Sequence, residues 1–211
     1  MVSGGLRLPT EPPLAMLFTS GTSGRPKGAL LSRRAFIAAA EASAQNLGWQ
    51  PEDRWLLCMP LAHVGGLSIL VRCLVARRTM VLPPERPLGS FDAATIAQLV
   101  ERERVTLLSV VPTMLSRLLA LQPQWQPPSS LRAVLLGGAA ASPALLSEAA
   151  QRRIPALTTY GLTEACSQVT TQRYGSVPDA AQGAGEPIAG LELRIVDDQI
   201  QVRGPTLFDG Y

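Results

Sequence analysis

The sequence predicts an α/β protein: a mostly parallel sheet with helices on both faces, followed by a β-rich C-terminal piece. Three observations predict it. Short, continuously apolar runs at residues 54–59, 105–110 and 133–136 alternate with longer helical ones, as strands buried on both faces do. Helix-start residues stand before the helical runs at Ser32, Asp92 and Ser142-Pro143. After Tyr160 the texture changes to glycines, prolines and short β-like runs.

Each element follows in order. Behind a tail of residues 1–13, an apolar strand-like run covers residues 14–18. Ser32 caps a helix reaching about Leu47, and Gly48 closes it. A strand over 54–59, an apolar helix over 66–77 and a strand over 79–82 come next. Asp92 caps a helix to about Arg104, followed by a strand over 105–110. Residues 112–121 are helical, 122–130 form a Pro-rich surface loop and 133–136 are a strand. Pro143 suits the first position of a helix ending near Arg153, and 156–159 return as a strand. Runs at 191–196 and 199–203, split by Asp197-Asp198, read as a hairpin. Residues 14–160 are thus expected to be an α/β core, and 161–211 a β-rich segment of the same large domain.

Composition narrows the function classes. Hydrophobic residues make up 46% of the 211 and charged ones 17%, the balance of an ordered globular chain. The net charge is +3 and the arginines are scattered, which argues against a nucleic-acid partner. Cys58, Cys73 and Cys166 make neither an even framework nor a CxxC pair, so a reducing, cytoplasmic setting is expected. The most apolar stretch, 67–82, is interrupted by Arg72, Arg77 and Arg78, and no membrane insertion is expected. Of the 19 Lys and Arg residues, Lys27 alone is lysine.

That lysine lies in the most informative segment, Thr19-Ser20-Gly21-Thr22-Ser23-Gly24-Arg25-Pro26-Lys27-Gly28. Hydroxyls and glycines at this density let backbone N–H groups and side chains converge on an anion, with Lys27 adding a point charge. Counting from Gly21 puts Pro26 where a Walker A loop needs its second glycine, so an ordinary P-loop NTPase is disfavoured.

The decapeptide resembles the signature loop of the adenylate-forming superfamily: acyl- and aryl-CoA ligases, peptide-synthetase adenylation domains and luciferases. Four further segments match in the family's order. Pro60-Leu61-Ala62-His63-Val64-Gly65-Gly66 resembles the stretch beside the acyl pocket, and Leu136-Gly137-Gly138-Ala139-Ala140 the loop along the adenine. Tyr160-Gly161-Leu162-Thr163-Glu164 is similar to the motif whose aromatic ring stacks on adenine. Val202-Arg203-Gly204-Pro205 with Gly210-Tyr211 resembles the stretch before the ribose-binding aspartate.

The resemblance implies ATP and Mg2+ as cofactors and coenzyme A as co-substrate. It implies Thr19, Ser20, Gly21, Thr22, Ser23, Gly24, Lys27, Gly137, Gly138, Ala139, Ala140, Tyr160, Gly161 and Thr163 around the nucleotide. Thr163, Glu164, His63 and Lys27 would serve the chemistry, with Glu164 on the metal. A single carboxylate suits Mg2+, which shares hard oxygen ligands with phosphates. Without the motifs, Tyr160 reads as a core aromatic, Glu164 as a helix-start acid and His63 as a structural histidine.

Finer texture, notably Tyr160-Gly161-Leu162-Thr163-Glu164-Ala165-Cys166-Ser167-Gln168, resembles the o-succinylbenzoate–CoA ligases of menaquinone biosynthesis. That resemblance implies a small aromatic carboxylic acid as substrate, in a pocket lined by His63, Gly65, Ser68, Ser109, Thr113, Leu162 and Ser167. Another aryl- or acyl-CoA ligase, a carrier-loading adenylation domain and a non-catalytic nucleotide-binding remnant stay open as alternatives. The family carries a substantial segment before the signature loop, a ribose aspartate beyond the position of Tyr211 and a C-terminal lid domain. The sequence-based expectation is therefore a truncated product with little or no ligase turnover, prone to self-association, homo-oligomers included, through exposed apolar surface.

Overall fold

The computed structural model describes residues 12–19, 26–84, 91–121 and 125–211. Two antiparallel strands, β1 (Pro13–Thr19) and β2 (Lys27–Ser32), flank the signature segment. Helix α1 (Arg33–Leu47) then starts at Ser32, whose side chain accepts from the Ala35 N–H, and ends at Gly48 with φ 60°. There follow β3 (Arg54–Leu56), α2 (Val64–Ala76), β4 (Thr79–Val81), α3 (Ala93–Arg102), β5 (Leu107–Val110) and α4 (Pro112–Leu121). The chain continues through β6 (Ala133–Leu136), α5 (Pro143–Gln151), β7 (Ala156–Leu162), β8 (Ser167–Thr171), β9 (Glu186–Pro187), β10 (Glu192–Val196) and β11 (Gln199–Arg203). Asp92 and Ser142 cap α3 and α5 through their side chains.

Seven strands make the main sheet in the order β4-β3-β5-β6-β7-β8-β9. The first five run parallel, and β8 and β9 are added antiparallel. Alternation along the central strands supplies two cores. Leu108, Val110, Val134 and Leu136 pack with α3, α4 and α5 through Ile96, Leu99, Leu115, Leu118 and Leu146. Leu107, Ala133 and Leu135 face the other way, onto Leu47 of α1 and Ile69 and Cys73 of α2. Helices thus cover both faces, as the apolar runs predict.

The 14–18 run is a strand as expected, and it lies in the two-stranded β1–β2 ribbon. Several expectations need correction. Lys27–Ser32, with no expected element, is a strand because it pairs back on β1. The 54–59 strand stops at Leu56, the 105–110 strand starts at Leu107, and the 66–77 helix starts at Val64. Strand β7 runs across residues 160 and 161, and β8 and β9 of the C-terminal segment extend the main sheet. The 191–203 hairpin forms, with Asp197 and Asp198 both left-handed (φ 48° and 58°), the geometry of its two-residue turn.

Beneath the sheet, at the strand starts, lies a buried ion pair. Arg132 donates from Nη2 and Nε to Asp53 (2.6 and 2.8 Å) and also reaches the Leu47 and Gly48 carbonyls. Asp53 further accepts from the Gln50 N–H and the Thr106 hydroxyl, both at 2.8 Å. One carboxylate thus ties the start of β3, the approach to β5, the start of β6 and, through Arg132, the end of α1. No helix among the described residues is long and apolar enough to cross a membrane.

Candidate active site

The sheet's strand order places its opening. From β3 the chain runs outward to β4, then returns to β5 on the opposite side of β3. At such a switch point the loops leave in opposite directions and open a crevice outside the carboxyl ends of the strands. A cleft of about 1090 Å³ lies there. Its walls include Leu57 to Leu61 after β3, Leu82 to Pro84 after β4, Ser109 to Val111 at the end of β5, Gly137 and Gly138 after β6, and Gly161 on β7.

Many of the expected residues converge on this cleft. Thr19, His63, Gly65, Ser68, Ser109, Gly137, Gly138, Gly161, Leu162, Thr163, Glu164 and Ser167 all line it. His63 is the exposed N-cap of α2 and makes no side-chain cap bond. Ser68 donates to the Gly65 carbonyl, and Ser109 accepts from Trp55 Nε1 at 3.2 Å. Thr163 and Glu164 sit in a 3₁₀ turn, Thr163–Ala165, whose exit Cys166 and Ser167 are left-handed (φ 54° and 105°). Backbone held there is strained and persists only where its surroundings fix it.

Other expected residues stand apart from the cleft walls. Thr113 is exposed in the first turn of α4. Beyond Gly138 at the wall, Ala139 and Ala140 continue an exposed rim, and Tyr160, 38% exposed, lies between the cleft-lining Thr159 and Gly161. Lys27 Nζ lies 5.1 Å from the Tyr211 ring centroid. Ser20, Gly21, Thr22, Ser23 and Gly24 lie outside the described residues.

Gly161 makes the close approach of β7 and β8 feasible. The ladder shifts register at Tyr160/Gly161, and a Cβ on Gly161 would meet the Ser167 carbonyl oxygen at 1.7 Å. Gly161→Ala is expected to force the bulge apart and cost about 1–3 kcal/mol, measured by denaturant unfolding. Unchanged stability would contradict that packing.

Arg72 is the residue that motif reading missed. It is 3% exposed on α2, one turn beyond Ser68, and lines the cleft. Its Nε and Nη2 have no hydrogen-bond partner among the described residues. The guanidinium lies 5.4 Å from the Trp55 ring centroid, and burial brings its pKa down to about 10. A ring face compensates a buried cation only in part. The available signal was an arginine inside the apolar helix of residues 64–76. Gln168 presents a second polar end: its Nε2 donates to Thr159 Oγ1, while its buried Oε1 has no partner among the described residues.

Fold and cleft define a class, an α/β protein built to hold a ligand across the carboxyl ends of a parallel sheet. The family model described as AMP-binding enzyme matches residues 7–211, and the chain belongs to that family. A 2-succinylbenzoate–CoA ligase of Bacillus pumilus is 38% identical over 206 residues, 93% of this chain and 41% of that protein. One from Enterococcus faecalis is 34% identical over 208 residues, covering 93% and 42%. Two solved structures of o-succinylbenzoate CoA synthetase from Bacillus subtilis are also similar. The complex with the acyl-adenylate intermediate OSB-AMP has TM-score 0.82 and 34% identity, covering 92% of this chain and 41% of that one. The complex with ATP and magnesium ion has TM-score 0.80 and 33% identity, covering 93% and 42%. The chain thus spans about two-fifths of the length of the relatives it matches.

Proposed function

We propose that these residues form the nucleotide- and acid-binding part of an AMP-forming acid–thiol ligase whose substrate is an aromatic dicarboxylic acid, o-succinylbenzoate. Arg72 carries the substrate reading. Among the described residues the buried Arg72 guanidinium has no carboxylate partner, which is costly, and a ligand carboxylate reaching it would offset much of that cost. o-Succinylbenzoate has two carboxylates, so one can react while the other meets Arg72. The likeness to 2-succinylbenzoate–CoA ligases supports the same choice.

In the proposed arrangement, the rim of Gly138, Ala139 and Ala140 and the exposed Tyr160 ring hold the adenine. Thr19, Lys27 and Thr163 are assigned to the phosphates, and Ser20, Gly21, Thr22, Ser23 and Gly24 are assigned the same role from their chemistry alone. The acid enters the cleft between His63, Gly65, Ser68, Ser109, Leu162 and Ser167. A carboxylate oxygen attacks the α-phosphorus of ATP and pyrophosphate leaves, giving the acyl-adenylate. The sulfur of coenzyme A then attacks the acyl carbon and AMP leaves. The protein contributes chiefly by positioning the reactants and by fixed charge at the phosphates.

Glu164 fits the role of a Mg2+ ligand. Its carboxylate is half-buried at the cleft and one oxygen accepts from Tyr211. Among the described residues no cluster of three or more potential ligands forms a metal cage. Hard oxygens in such small number suit Mg2+ bound jointly with phosphate rather than alone. When bound, the ion would supply charge neutralisation at the phosphates.

Calorimetry of the chain with hydrolysis-resistant o-succinylbenzoyl- and benzoyl-adenylate mimics tests the reading. The dicarboxylate mimic is expected to bind at least about tenfold more tightly, as a buried charge-assisted pair allows. Equal affinities would remove the substrate and keep the nucleotide site.

A further inference from the structure

The segment after β11 crosses between the two elements that carry the charged groups of the phosphate end. Leu30 on β2 donates to the Gly210 carbonyl and accepts from the Asp209 N–H, both at 2.9 Å. The Phe208 N–H donates to the Glu164 carbonyl at 2.8 Å. Residues 208–211 therefore pin the strand that begins at Lys27 to the turn that carries Glu164.

Tyr211 ends this splint and touches both side chains. Its hydroxyl donates to Glu164 Oε1 at 2.6 Å, and its ring lies 5.1 Å from Lys27 Nζ. Phe208 meets the ring edge-on, with centroids 4.9 Å apart, and fixes its direction.

We propose that Tyr211 is a positioning residue for the metal–phosphate end of the site. Its hydroxyl occupies one oxygen of Glu164 so that the other is held ready for Mg2+, and its ring seats the Lys27 ammonium. This rests on the reading of Glu164 as a metal ligand. The physical reason is preorganisation. A carboxylate offers about four acceptor positions on two oxygens, so one phenol bond leaves room for a metal. A free glutamate must lose rotamer freedom on binding an ion with strict geometry, whereas a tethered one has already lost it. The Phe208 N–H holds the Glu164 backbone carbonyl, whereas the Tyr211 hydroxyl is bonded to the carboxylate itself and orients it.

The test is ATP affinity of the chain in EDTA and across a Mg2+ titration, for wild type, Tyr211→Phe, Tyr211→Ala, Glu164→Gln and the Tyr211→Phe/Glu164→Gln double variant. Tyr211→Phe is expected to leave the EDTA affinity and melting temperature unchanged and to weaken the Mg2+-dependent gain about three- to tenfold, the size of an ordinary hydrogen bond, because the bond lost orients the metal ligand and does not itself touch the ion. Glu164→Gln should abolish the gain, and Tyr211→Phe should add nothing to it, because the two share one interaction. Tyr211→Ala should also lower the EDTA affinity by releasing Lys27. A Tyr211→Phe variant with an unchanged or larger gain, or with an effect additive to Glu164→Gln, overturns the proposal alone. A wild type that binds ATP with no Mg2+-dependent gain overturns the metal reading first and the proposal with it.

Discussion

Arg72→Met is expected to bind the o-succinylbenzoyl-adenylate mimic about 30- to 150-fold more weakly than wild type and to bind the benzoyl mimic with little change. Losing one charge-assisted pair inside a cleft is worth about 2–3 kcal/mol, and each 1.4 kcal/mol is tenfold in affinity. Methionine preserves most of the aliphatic volume on α2, so the comparison isolates the guanidinium. The free protein is expected to gain stability, because the substitution removes a buried cation whose Nε and Nη2 have no partner among the described residues. This combination, a more stable chain with a weaker dicarboxylate site, is characteristic of a residue kept for its ligand. Paired calorimetric titrations and melting curves measure it. A uniform loss of affinity for both mimics would instead make Arg72 a general support of the cleft.

Asp53→Ala is expected to lower the unfolding free energy by about 3–5 kcal/mol, since it leaves the Arg132 side chain, 9% exposed, beside two carbonyls with no carboxylate. The interaction also sets a pH dependence. Burial alone would raise the Asp53 pKa, but the Arg132 guanidinium, the Gln50 N–H and the Thr106 hydroxyl outweigh it and hold the carboxyl below its usual value. Its folded pKa is depressed, so the stabilisation is present above the unfolded value of about 3.9 and is lost as pH falls through the folded one. Wild type should therefore lose stability on acidification below about pH 4 more steeply than Asp53→Asn, which has no proton to bind there. Denaturant unfolding at a series of pH values measures both effects. Parallel pH profiles for the two proteins would show that Asp53 does not contribute to the acid limb.

Local chemistry made much of this fold legible. Ser32, Asp92 and Ser142 each cap the helix they were expected to start, because an N-cap needs only a side-chain oxygen and the N–H three residues on. The Asp197-Asp198 turn was equally readable, since two residues set its geometry. What escaped depends on partners distant in sequence. Lys27–Ser32 is a strand only because β1 accepts it, and nothing in its composition separates it from the helix that follows. Gly161 looked like a boundary, yet the glycine lets β7 continue past Tyr160 by admitting the Ser167 carbonyl. At the site, the motifs located the cleft walls at Gly65, Gly137 and Gly161 to Glu164. They were silent on Arg72, whose meaning depends on which face of α2 the core buries. Thr113 shows the converse: a plausible hydroxyl at a helix start that is exposed and does not line the cleft.

The most direct measurement is a crystal structure of this chain with the hydrolysis-resistant o-succinylbenzoyl-adenylate mimic bound. The expected result has the adenine against the Tyr160 ring and the 138–140 rim, and the free carboxylate within hydrogen-bond distance of Arg72 Nε or Nη2. A mimic seated with that carboxylate in solvent and the Arg72 guanidinium still without a ligand contact would contradict the assignment of this cleft to an aromatic dicarboxylic acid.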